Sequence, residues 1–527
     1  MTAPKPRKAA AKDHRASLAI AVQAAEPVER ELKLRLRPQD LARLRARLDA
    51  RAAPRTEAVD SIYLDTPDRR LAQARAALRL RALGQGRRRW VQTLKTGDDG
   101  AAFSARGEWE TAAPGGRLAP RLLADSPLER LLGAGAGVDG AARLEGLAPI
   151  FRTRFTRTIW DITVPGGHIE AVIDEGAIEA GAAREPILEA ELELKGGQPE
   201  AVWQLAVALI GGGAGGPRLA LLPYGDSKAA RGYRLAAGVA IRPRSTRPSL
   251  QGDRTLAAAA VARLLVAQEM IGVLANAEGL RVGHDTEFVH QARICLRRLR
   301  ACLDILDVRL PAPLEYGLRV WSERFGRVRD WDVLCQQQLP RLVDDLGSAD
   351  PAAWGRITVT AQRHRDAATK KLRQDLESAA FAHLVLRLLQ WSAISGAAGG
   401  KGADKPVGAQ ALKSIRKQLQ RVAEAGRNFA QHSPRRQHRI RQQAKTARYA
   451  IDCLAPVLPH RLQGAVRRAL VRFQDAAGRV QDSSVAAAAV QRLTRSAALR
   501  RELAAWAAQR REKPAQKAQR LAARLSA

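Results

Sequence analysis

Apolar and polar residues alternate along the first half of the chain, in short stretches separated by turn signals. A period of two is typical of strands that bury one face. Helices are expected at 38–51, where Pro38 suits the first turn, and at 198–211. The pattern predicts a β-rich region with strands at 29–36, 77–82, 89–95, 106–111, 152–164, 168–174 and 187–195.

From residue 253 onward, the apolar positions recur with the helical period. Segments that carry Gly or Pro interrupt this period at 309–313, 347–355 and 395–408. The glycines at 211–216 and the prolines at 243 and 248 mark the change between the two periods. We therefore predict a disordered basic tail at 1–26, a β-rich domain at 27–240, a linker at 241–255, a helical domain at 256–510 and a basic tail at 511–527.

The helical half contains an internal repeat. The segment VHQARICLRRLR at 289–300 is matched by HRIRQQAKTAR at 438–448. About forty residues further on, FGRVRDWDV at 325–333 is matched by AGRVQDSSV at 477–485. Two landmarks in the same order and at similar spacing predict a helical bundle with a pseudo-twofold repeat.

Each copy places one histidine and three cations along one side of a helix, next to its apolar face. At ~100° per residue, the cations of both copies lie at the same offsets from the histidine. Four like charges at this spacing repel one another unless an anion lies along them. A solvated basic face is the alternative for one helix, but its duplication favours an anion-binding surface. The two stripes are His290, Arg293, Arg297 and Arg300, and His438, Arg441, Lys445 and Arg448.

The charge of the whole chain agrees with a polyanionic partner. The formal net charge is +35 and the isoelectric point is near 11.2. Nucleic acid is disfavoured as that partner, because reading or stacking on bases requires aromatic or amide side chains among the cations. Only 4% of residues are aromatic, and the stripes contain none. A bare phosphate chain, such as inorganic polyphosphate, fits better.

The four cysteines are Cys295, Cys302, Cys335 and Cys453, and they form no CxxC pair. We therefore expect small core residues in a reducing compartment. No apolar run approaches the length of a membrane span, so no membrane association is expected. The expected location is the cytoplasm, with polyphosphate granules as one site within it.

In the β-rich half, two predicted strands carry alternate acids that are followed by a lysine. These are Glu29, Glu31 and Lys33 near the start, and Glu189, Glu191, Glu193 and Lys195 near the end. Alternate residues of a strand point to one face, and such a face gains little unless it borders a polar cavity. Carboxylates that hold Mg²⁺ or Mn²⁺ beside cations that neutralise phosphate would explain the pattern. The alternative is a half-exposed sheet with salt bridges between its strands.

These residues resemble two known families. The ExExK run at 29–33, YLDTPDRRL at 63–71, LRLR at 78–81, TLK at 93–95, ELELK at 191–195 and SKAARGY at 227–233 resemble a CYTH domain of the triphosphate tunnel metalloenzymes. HxxRxxxRRLR at 290–300 and RDWDVL at 329–334 resemble a CHAD domain. The second copy departs from the CHAD pattern at Lys445-Thr446-Ala447, although its four-residue stripe is retained.

The resemblance implies a fold and a set of site residues. The fold would be a multidomain α+β protein, with an eight-stranded antiparallel β-barrel followed by an all-α domain. The implied metal ligands are Glu29, Glu31, Glu191 and Glu193, with Asp174 and Glu189 in addition, and Lys33 and Glu31 would be catalytic. The implied phosphate ligands are Arg79, Arg81, Lys95, Arg152, Arg154, Lys228 and Arg231.

The resemblance implies metal-dependent hydrolysis of inorganic triphosphate, with polyphosphate bound by the helical half. Tunnel enzymes also include adenylate cyclases and enzymes that act on thiamine triphosphate or RNA. A polyphosphate-binding scaffold without catalysis is a further alternative. The pairing with a CHAD-like half favours inorganic triphosphate.

Overall fold

The computed structural model describes residues 28–525 except 85–88, 98–102, 120–122, 124, 133–145, 212–217, 247, 251, 348–349, 395 and 397. The predicted tail at 1–26 therefore lies outside the described residues. Within them, the first half forms nine strands: β1 Val28–Arg35, β2 Arg55–Asp65, β3 Ala77–Leu83, β4 Arg89–Thr96, β5 Phe103–Ala112, β6 Ala148–Val164, β7 Gly167–Ala180, β8 Ala183–Gly197 and β9 Leu222–Pro223.

Eight of these strands close into an antiparallel barrel in the order β5-β4-β3-β2-β6-β7-β8-β1. β1 closes the barrel by pairing with β8 on one side and β5 on the other. β9 pairs with Leu34 and Arg35, the part of β1 beyond its pairing with β5. The predicted eight-stranded barrel is confirmed.

The barrel buries both faces of its strands, which explains the unusual alternation of acids. On β1, Leu32 and Leu34 are fully buried on the outer side, while Glu31 and Lys33 are only 4% exposed on the inner side. The strand at 55–65 was missed by the sequence analysis. Its inner residues include Arg55 and Glu57, so no clear apolar alternation marks it.

Five helices accompany the barrel in the described residues: α1 Pro38–Asp49, α2 Arg70–Gln73, α3 Leu128–Leu131, α4 Glu200–Ile210 and α5 Lys228–Ala236. A short 3₁₀ turn spans Pro114–Gly116. α1 begins at Pro38 as expected. Ser227 caps α5 by accepting a hydrogen bond from the backbone N–H of Ala230 at 3.0 Å, which fixes the start of the helix and the place of Lys228.

The second half is mostly helical, as predicted. Its described helices are α6 Ala258–Val282, α7 Glu287–Leu306, α8 Ala312–Val333, α9 Leu339–Leu346, α10 Pro351–Leu376, α11 Ala379–Ala393, α12 Val407–Gly426, α13 Pro434–Leu454, α14 Arg467–Leu493, α15 Ala497–Gln509 and α16 Glu512–Ala522. π-helical turns at Leu334–Gln338 and Leu462–Val466 and 3₁₀ turns at Phe429–Gln431, Ala455–Val457 and Ala523–Leu525 complete it. The pseudo-twofold relation of its two halves stays a prediction.

One hydrophobic core runs through both halves of the molecule. It contains Leu32 of β1, Trp203 of α4, Leu265 of α6 and Leu386 of α11. α11 packs against α4 and β9, so the outer side of the barrel is covered by the helical half. The two domains therefore share an extensive apolar interface.

Two expectations from the sequence need correction. Residues 512–525 are helical rather than a tail, because Ala518 and Ala522 are fully buried against the bundle. α6 is long and apolar enough to cross a membrane by length and composition alone, so the expectation that no segment reaches that length was wrong. However, 56% of its apolar window is buried inside the protein, and a core helix passes the same test.

Candidate functional site

The barrel encloses a cavity of about 1150 Å³. All eight barrel strands and α5 contribute side chains to its wall, and most of these side chains are charged. The cavity therefore brings together many of the residues predicted from the sequence: Glu29, Glu31, Lys33, Arg79, Arg81, Lys95, Glu191, Glu193 and Lys228.

Glu31 and Glu29 of β1 bind cations from three strands. Glu31 accepts hydrogen bonds from Lys33 Nζ and from the guanidinium of Arg106. Lys95 Nζ lies 2.5 Å from Glu29 and 3.1 Å from Glu108. Burial alone would raise the pKa of Glu29, but the ammonium of Lys95 holds it below the ordinary value. In this part of the wall, ionised carboxylates thus alternate with cations in a single network.

A second network surrounds three buried acids: Asp174, Glu189 and Glu191. Each offers a ligand atom, and these atoms all lie within 4.8 Å of one another. Lys228 Nζ contacts all three, at 2.7, 2.5 and 3.0 Å. Arg157 donates two bonds to Asp174, at 2.8 and 2.7 Å, and one to Glu191 at 2.9 Å. With Arg231, which binds Glu189 at 2.7 Å, three cations already compensate the three acids.

Two groups of the cavity are less well compensated, and they carry opposite charges. Arg81 donates to Ser61 Oγ at 3.3 Å, and no carboxylate of the described chain lies within ion-pair distance of it. Burial, together with the neighbouring Arg79 and Arg157, lowers the pKa of Arg81 to about 10. Burial, together with Glu29, raises the pKa of Glu193 to about 7 in spite of Lys195. The cavity can thus stabilise both an anion near Arg81 and a cation near Glu193.

Glu29, Glu31, Glu191 and Glu193 line the cavity, whereas Asp174 and Glu189 are buried and do not line it. All six fit a hard divalent cation, because carboxylate oxygens are the ligands that Mg²⁺ and Mn²⁺ prefer. The acidic cluster of Asp174, Glu189 and Glu191 provides such oxygens at one place. Glu29, Glu31 and Glu193 provide them at adjoining positions of β1 and β8, where Glu31 pairs in register with Glu193. An ion at the first cluster has to share its oxygens with Lys228 Nζ.

The structure does not place all the predicted phosphate ligands in the cavity. Arg152 binds Asp60, and Arg154, whose side chain is 53% exposed, lies 3.4 Å from Glu179. Both point to the outer side, because successive side chains of a strand alternate between its faces. Phe155 and Arg157, at odd-numbered positions of β6, lie on the inner side, so the even-numbered positions 152 and 154 lie on the outer side. The prediction of Arg152 and Arg154 as phosphate ligands is therefore corrected.

Arg231 also lies away from the cavity wall. It is buried and binds Glu185 at 2.6 Å and Glu189 at 2.7 Å, one helical turn beyond Lys228. We interpret it as a residue that positions Glu189. The sequence analysis did not assign roles to Arg106, Glu108, Glu110 and Arg157, all of which line the cavity. Arg157 follows Thr153 and Phe155 at a spacing of two, which is the signal that identifies its face.

In the helical half, the two predicted stripes lie on neighbouring helices, because α7 packs directly against α13. Arg297 Nη2 donates to Gln442 Oε1 of α13 at 3.0 Å. A groove of about 670 Å³ lies between the helices and is lined by members of both stripes, Arg297, Arg300 and Lys445, together with Tyr449. The stripes therefore form one cationic surface, which we call the stripe groove.

Tyr449 is an aromatic residue of this surface that the sequence analysis did not assign. The guanidinium carbon of Arg297 lies 5.9 Å from the centre of its ring, and that of Arg448 lies 4.4 Å from it. The ring attracts both guanidinium groups through its π face, and so holds one cation of each stripe beside the other. Arg448 also binds Asp452 at 2.9 Å.

The two copies of the repeat make corresponding contacts. Arg293 Nη2 lies 3.6 Å from Asp330, and Arg441 Nη2 lies 3.8 Å from Asp482. A glycine allows each arginine to approach: a Cβ on Gly326 would lie 2.3 Å from Arg293, and one on Gly478 would lie 3.1 Å from Arg441. The repeated FGRVRD and AGRVQD segments therefore support the arginines of the stripes.

Burial and neighbouring cations lower the pKa values of two residues of the stripes. Burial, followed by Arg441, Arg297 and Arg293, lowers the pKa of Lys445 to about 7. Burial, followed by Arg329, lowers the pKa of His290. His438 instead forms hydrogen bonds with Gln442 at 3.1 Å and with Gln481. An anion in the stripe groove would restore the proton on Lys445.

Comparison with known proteins gives a separate line of evidence. Residues 28–210 match the family model of the CYTH domain, and residues 265–491 match that of the CHAD domain. An inorganic triphosphatase from Haemophilus influenzae is 31% identical over 150 residues. This match covers 28% of the present chain and 39% of the relative, and therefore spans less than two thirds of the relative's length.

Solved structures resemble the chain in part. The crystal structure of the CHAD domain from the plant Ricinus communis has a TM-score of 0.45 at 24% identity, over 53% of this chain and 96% of that chain. A protein from Hippeastrum, described as a candidate adenylyl cyclase with a dominant triphosphatase activity, has a TM-score of 0.28 at 20% identity. That match covers 40% of this chain and 96% of the other.

Proposed function

We propose that this chain, which joins a CYTH domain to a CHAD domain, hydrolyses inorganic triphosphate in its barrel and binds polyphosphate in its stripe groove. The observation that carries the proposal is the barrel cavity, to which each of the eight barrel strands contributes at least one charged side chain. The similarity of the chain to an inorganic triphosphatase supports the choice of substrate.

The cations of the cavity suit a short phosphate chain. Triphosphate carries several charges in a small volume, so it requires donors from more than one direction. Arg81 and Arg79 of β3, Lys33 of β1 and Arg157 of β6 reach the cavity from different parts of its wall. Fixed donors of this kind stabilise the charge on the phosphate oxygens without having to reorganise during the reaction.

The reaction is a displacement at the terminal phosphorus. A water oxygen forms a bond to that phosphorus as the bond to the bridging oxygen breaks, and pyrophosphate leaves with the bonding electron pair. The proton of the water passes to the phosphate products. Glu31 orients Lys33 and Arg106 for this step, because it accepts a hydrogen bond from each of them.

A divalent cation, Mg²⁺ or Mn²⁺, would be held by the acids of β1, β7 and β8. The acidic cluster of Asp174, Glu189 and Glu191 and the neighbouring Glu29, Glu31 and Glu193 provide its oxygen ligands. When bound, the ion supplies positive charge that neutralises the developing charge on the phosphate oxygens. Lys228 now bridges these acids, so its ammonium group and a metal ion would share the same carboxylate oxygens.

The stripe groove is proposed to bind a longer chain of phosphates. It is a surface feature of α7 and α13, with Arg297 and Arg300 from one helix and Lys445 from the other. Arginine donates in a fork that suits phosphate oxygens, and successive forks along two helices match a repeating anion.

A screen for phosphate release tests the proposed reaction. The full chain is incubated with triphosphate, long-chain polyphosphate, ATP and thiamine triphosphate, with Mg²⁺, with Mn²⁺ and with excess chelator. We expect orthophosphate and pyrophosphate from triphosphate, only when metal is present. Pyrophosphate with cyclic AMP from ATP would instead identify a cyclase, and no turnover of any compound would identify a binding scaffold.

A further inference from the structure

The segment between the two domains is held in place by the helical domain, although its described residues form no helix or strand. Asn276 of α6 binds both backbone groups of Arg244: its side-chain oxygen accepts from the N–H at 3.0 Å, and its amide donates to the C=O at 2.9 Å. Asn276 is fully buried. This pair of bonds is the arrangement that an adjacent strand would otherwise provide.

The same side of α6 makes a similar pair of bonds to Ser249. Gln268 accepts from the N–H of Ser249 at 3.0 Å and donates to its C=O at 2.9 Å. Between these two points, a Cβ on Gly272 would lie 2.7 Å from Thr246 Oγ1. Residues 268, 272 and 276 are four apart, so they share one face of the helix. The linker therefore lies along this face of α6, formed by residues 268, 272 and 276, which we call its track.

α7 reinforces the track at its middle. Arg298 donates to the backbone oxygen of Thr246 at 2.5 Å and to its hydroxyl at 2.8 Å. Glu269 of α6 holds Arg298 in turn, with bonds of 2.7 and 2.6 Å. Because Arg298 and Glu269 are both buried, the middle of the linker has little freedom to move.

The side chain of Arg244 lies on the wall of the barrel cavity, together with Asp226, Ser227 and Lys228 near the start of α5. The backbone of this arginine is thus bound to the helical domain, while its side chain is part of the cavity in the barrel domain. A guanidinium at the wall of a triphosphate cavity is placed to donate to phosphate oxygens.

We propose that Arg244 is a substrate-binding residue of the barrel and that the helical domain positions it through Asn276. The inference rests on the proposed function, because it assumes that the cavity accepts triphosphate. It adds a structural role for the helical domain that does not depend on polyphosphate. The tunnel is complete only when the linker lies on its track.

The test compares Arg244→Ala with Arg242→Ala in the full chain, since Arg242 is an exposed arginine outside the cavity lining. We expect Arg244→Ala to raise the KM for triphosphate about tenfold, as for the loss of one charge-assisted hydrogen bond, and Arg242→Ala to leave it unchanged. Arg244→Lys should restore part of the loss. Calorimetric titration with triphosphate in the presence of chelator should show the same order of affinities.

The role of the helical domain is tested with Asn276→Ala and its matched control, Gln268→Ala. Gln268 holds Ser249, which does not line the cavity. We expect Asn276→Ala to weaken triphosphate binding severalfold, and Gln268→Ala to have no effect. The double variant with Arg244→Ala should bind no more weakly than Arg244→Ala alone, because Asn276 acts through Arg244. Asn276→Ser, which is small and uncharged and can still hydrogen-bond, replaces the alanine variant should the latter fail to fold.

Unchanged triphosphate affinity in Arg244→Ala would overturn the inference. Equal effects of Asn276→Ala and Gln268→Ala, or full additivity in the double variant, would overturn the role of the helical domain. A wild-type protein that binds triphosphate without hydrolysing it would contradict the proposed function alone, and the calorimetric comparison would still decide the role of Arg244.

Discussion

The barrel cavity and the stripe groove are both rich in Arg and Lys, yet they manage their charge in opposite ways. In the cavity, acids face the cations: Lys228 alone contacts three carboxylates. In the stripe groove, cations mainly face other cations, and burial together with these neighbours lowers the pKa of Lys445 to about 7. The cavity is thus largely balanced before an anion arrives, whereas the groove is not.

This difference suits two kinds of phosphate compound. A site whose charges are balanced by ion pairs orders its groups in advance, which is what catalysis requires. A surface on which cations outnumber acids gains much of its binding energy from neutralisation by the ligand, and so favours a long anion with little demand on geometry. The comparison predicts that substitutions in the cavity change turnover and substrate affinity, while those in the groove change retention of polyphosphate.

The largest effect is expected for Glu31→Gln in the cavity. Glu31 accepts bonds from Lys33 and Arg106, so loss of its charge disturbs two phosphate-facing cations together. Removing a preorganised electrostatic contact typically lowers kcat by ~10²–10³, and we expect a loss in this range. The control is Glu179→Gln, which breaks an ion pair on the outer side of the barrel. Equal phosphate release by both variants would contradict the assignment of the cavity.

A smaller effect is expected for Arg81→Ala. Arg81 has no carboxylate partner among the described residues, so its loss leaves no buried acid unpaired and mainly removes a phosphate ligand. The KM for triphosphate should rise about ten- to a hundredfold, the range for one hydrogen bond to a charged group. Arg154→Ala, on the outer side, serves as the control and should leave KM unchanged. The comparison would fail if the outer substitution had the larger effect.

In the stripe groove, replacement of Arg293, Arg297 and Arg300 by Ala should weaken the binding of long-chain polyphosphate. Each lost phosphate contact should also reduce the salt dependence of binding, by about 0.7–0.9 in the slope of log K against log salt. Triphosphate turnover should stay at the wild-type value. These outcomes are measured by binding titrations at several salt concentrations and by phosphate release.

The matched control removes the same charge from the exposed side of α10, with Arg356, Arg363 and Lys370 replaced by Ala. Equal loss of binding in both triple variants would show that net charge, and not the stripe groove, retains polyphosphate. A preference of the wild-type protein for duplex DNA over polyphosphate at equal charge would also contradict the assignment.

The smallest effect concerns pH. The pKa of Lys445 lies near 7 in the free protein because of burial, Arg441, Arg297 and Arg293, with Asp482 as the opposing charge. A bound phosphate favours the protonated amine, so binding takes up a proton above pH 7 and affinity should fall severalfold between pH 7 and 9. Lys445→Met should abolish this part of the pH profile and keep the binding due to arginine.

The histidines should affect polyphosphate binding at a lower pH than Lys445 does. The pKa of His290 lies below its ordinary value, since burial and Arg329 disfavour the charged ring. The variant with His290→Gln and His438→Gln should therefore lose the gain in affinity that appears below pH 7, while the change between pH 7 and 9 that is due to Lys445 stays as in the wild type. An unchanged profile in this variant would assign the histidines to packing.

The inner face of the barrel could be predicted where the strand pattern was strong. On β1 and β8, alternate acids between leucines indicated a polar cavity, and Glu31 and Glu191 do line it. On β6, the run FRTRF carries arginines at one parity and aromatic residues at the other. Composition alone did not show that Phe155 faces the cavity and that Arg154 faces outward, because a barrel that buries both faces has no single apolar side.

Contacts between elements far apart in sequence could not be predicted. Tyr449 lies on α13, yet its role depends on Arg297 of the neighbouring helix. The backbone of Arg244 is held by Asn276, and the linker was predicted only as a boundary. Periodicity shows which residues share a face, but it does not show which faces meet.

The shared hydrophobic core has a consequence for the order in which the protein is made. The barrel cannot close until β8 has been synthesised and can pair with β1. The outer side of the barrel stays uncovered until α11 has been synthesised, which happens later still. Until then, the side of α4 that packs against α11 remains in contact with water. The nascent chain therefore passes through an aggregation-prone stage on the ribosome, when a chaperone that shields apolar surface is most useful.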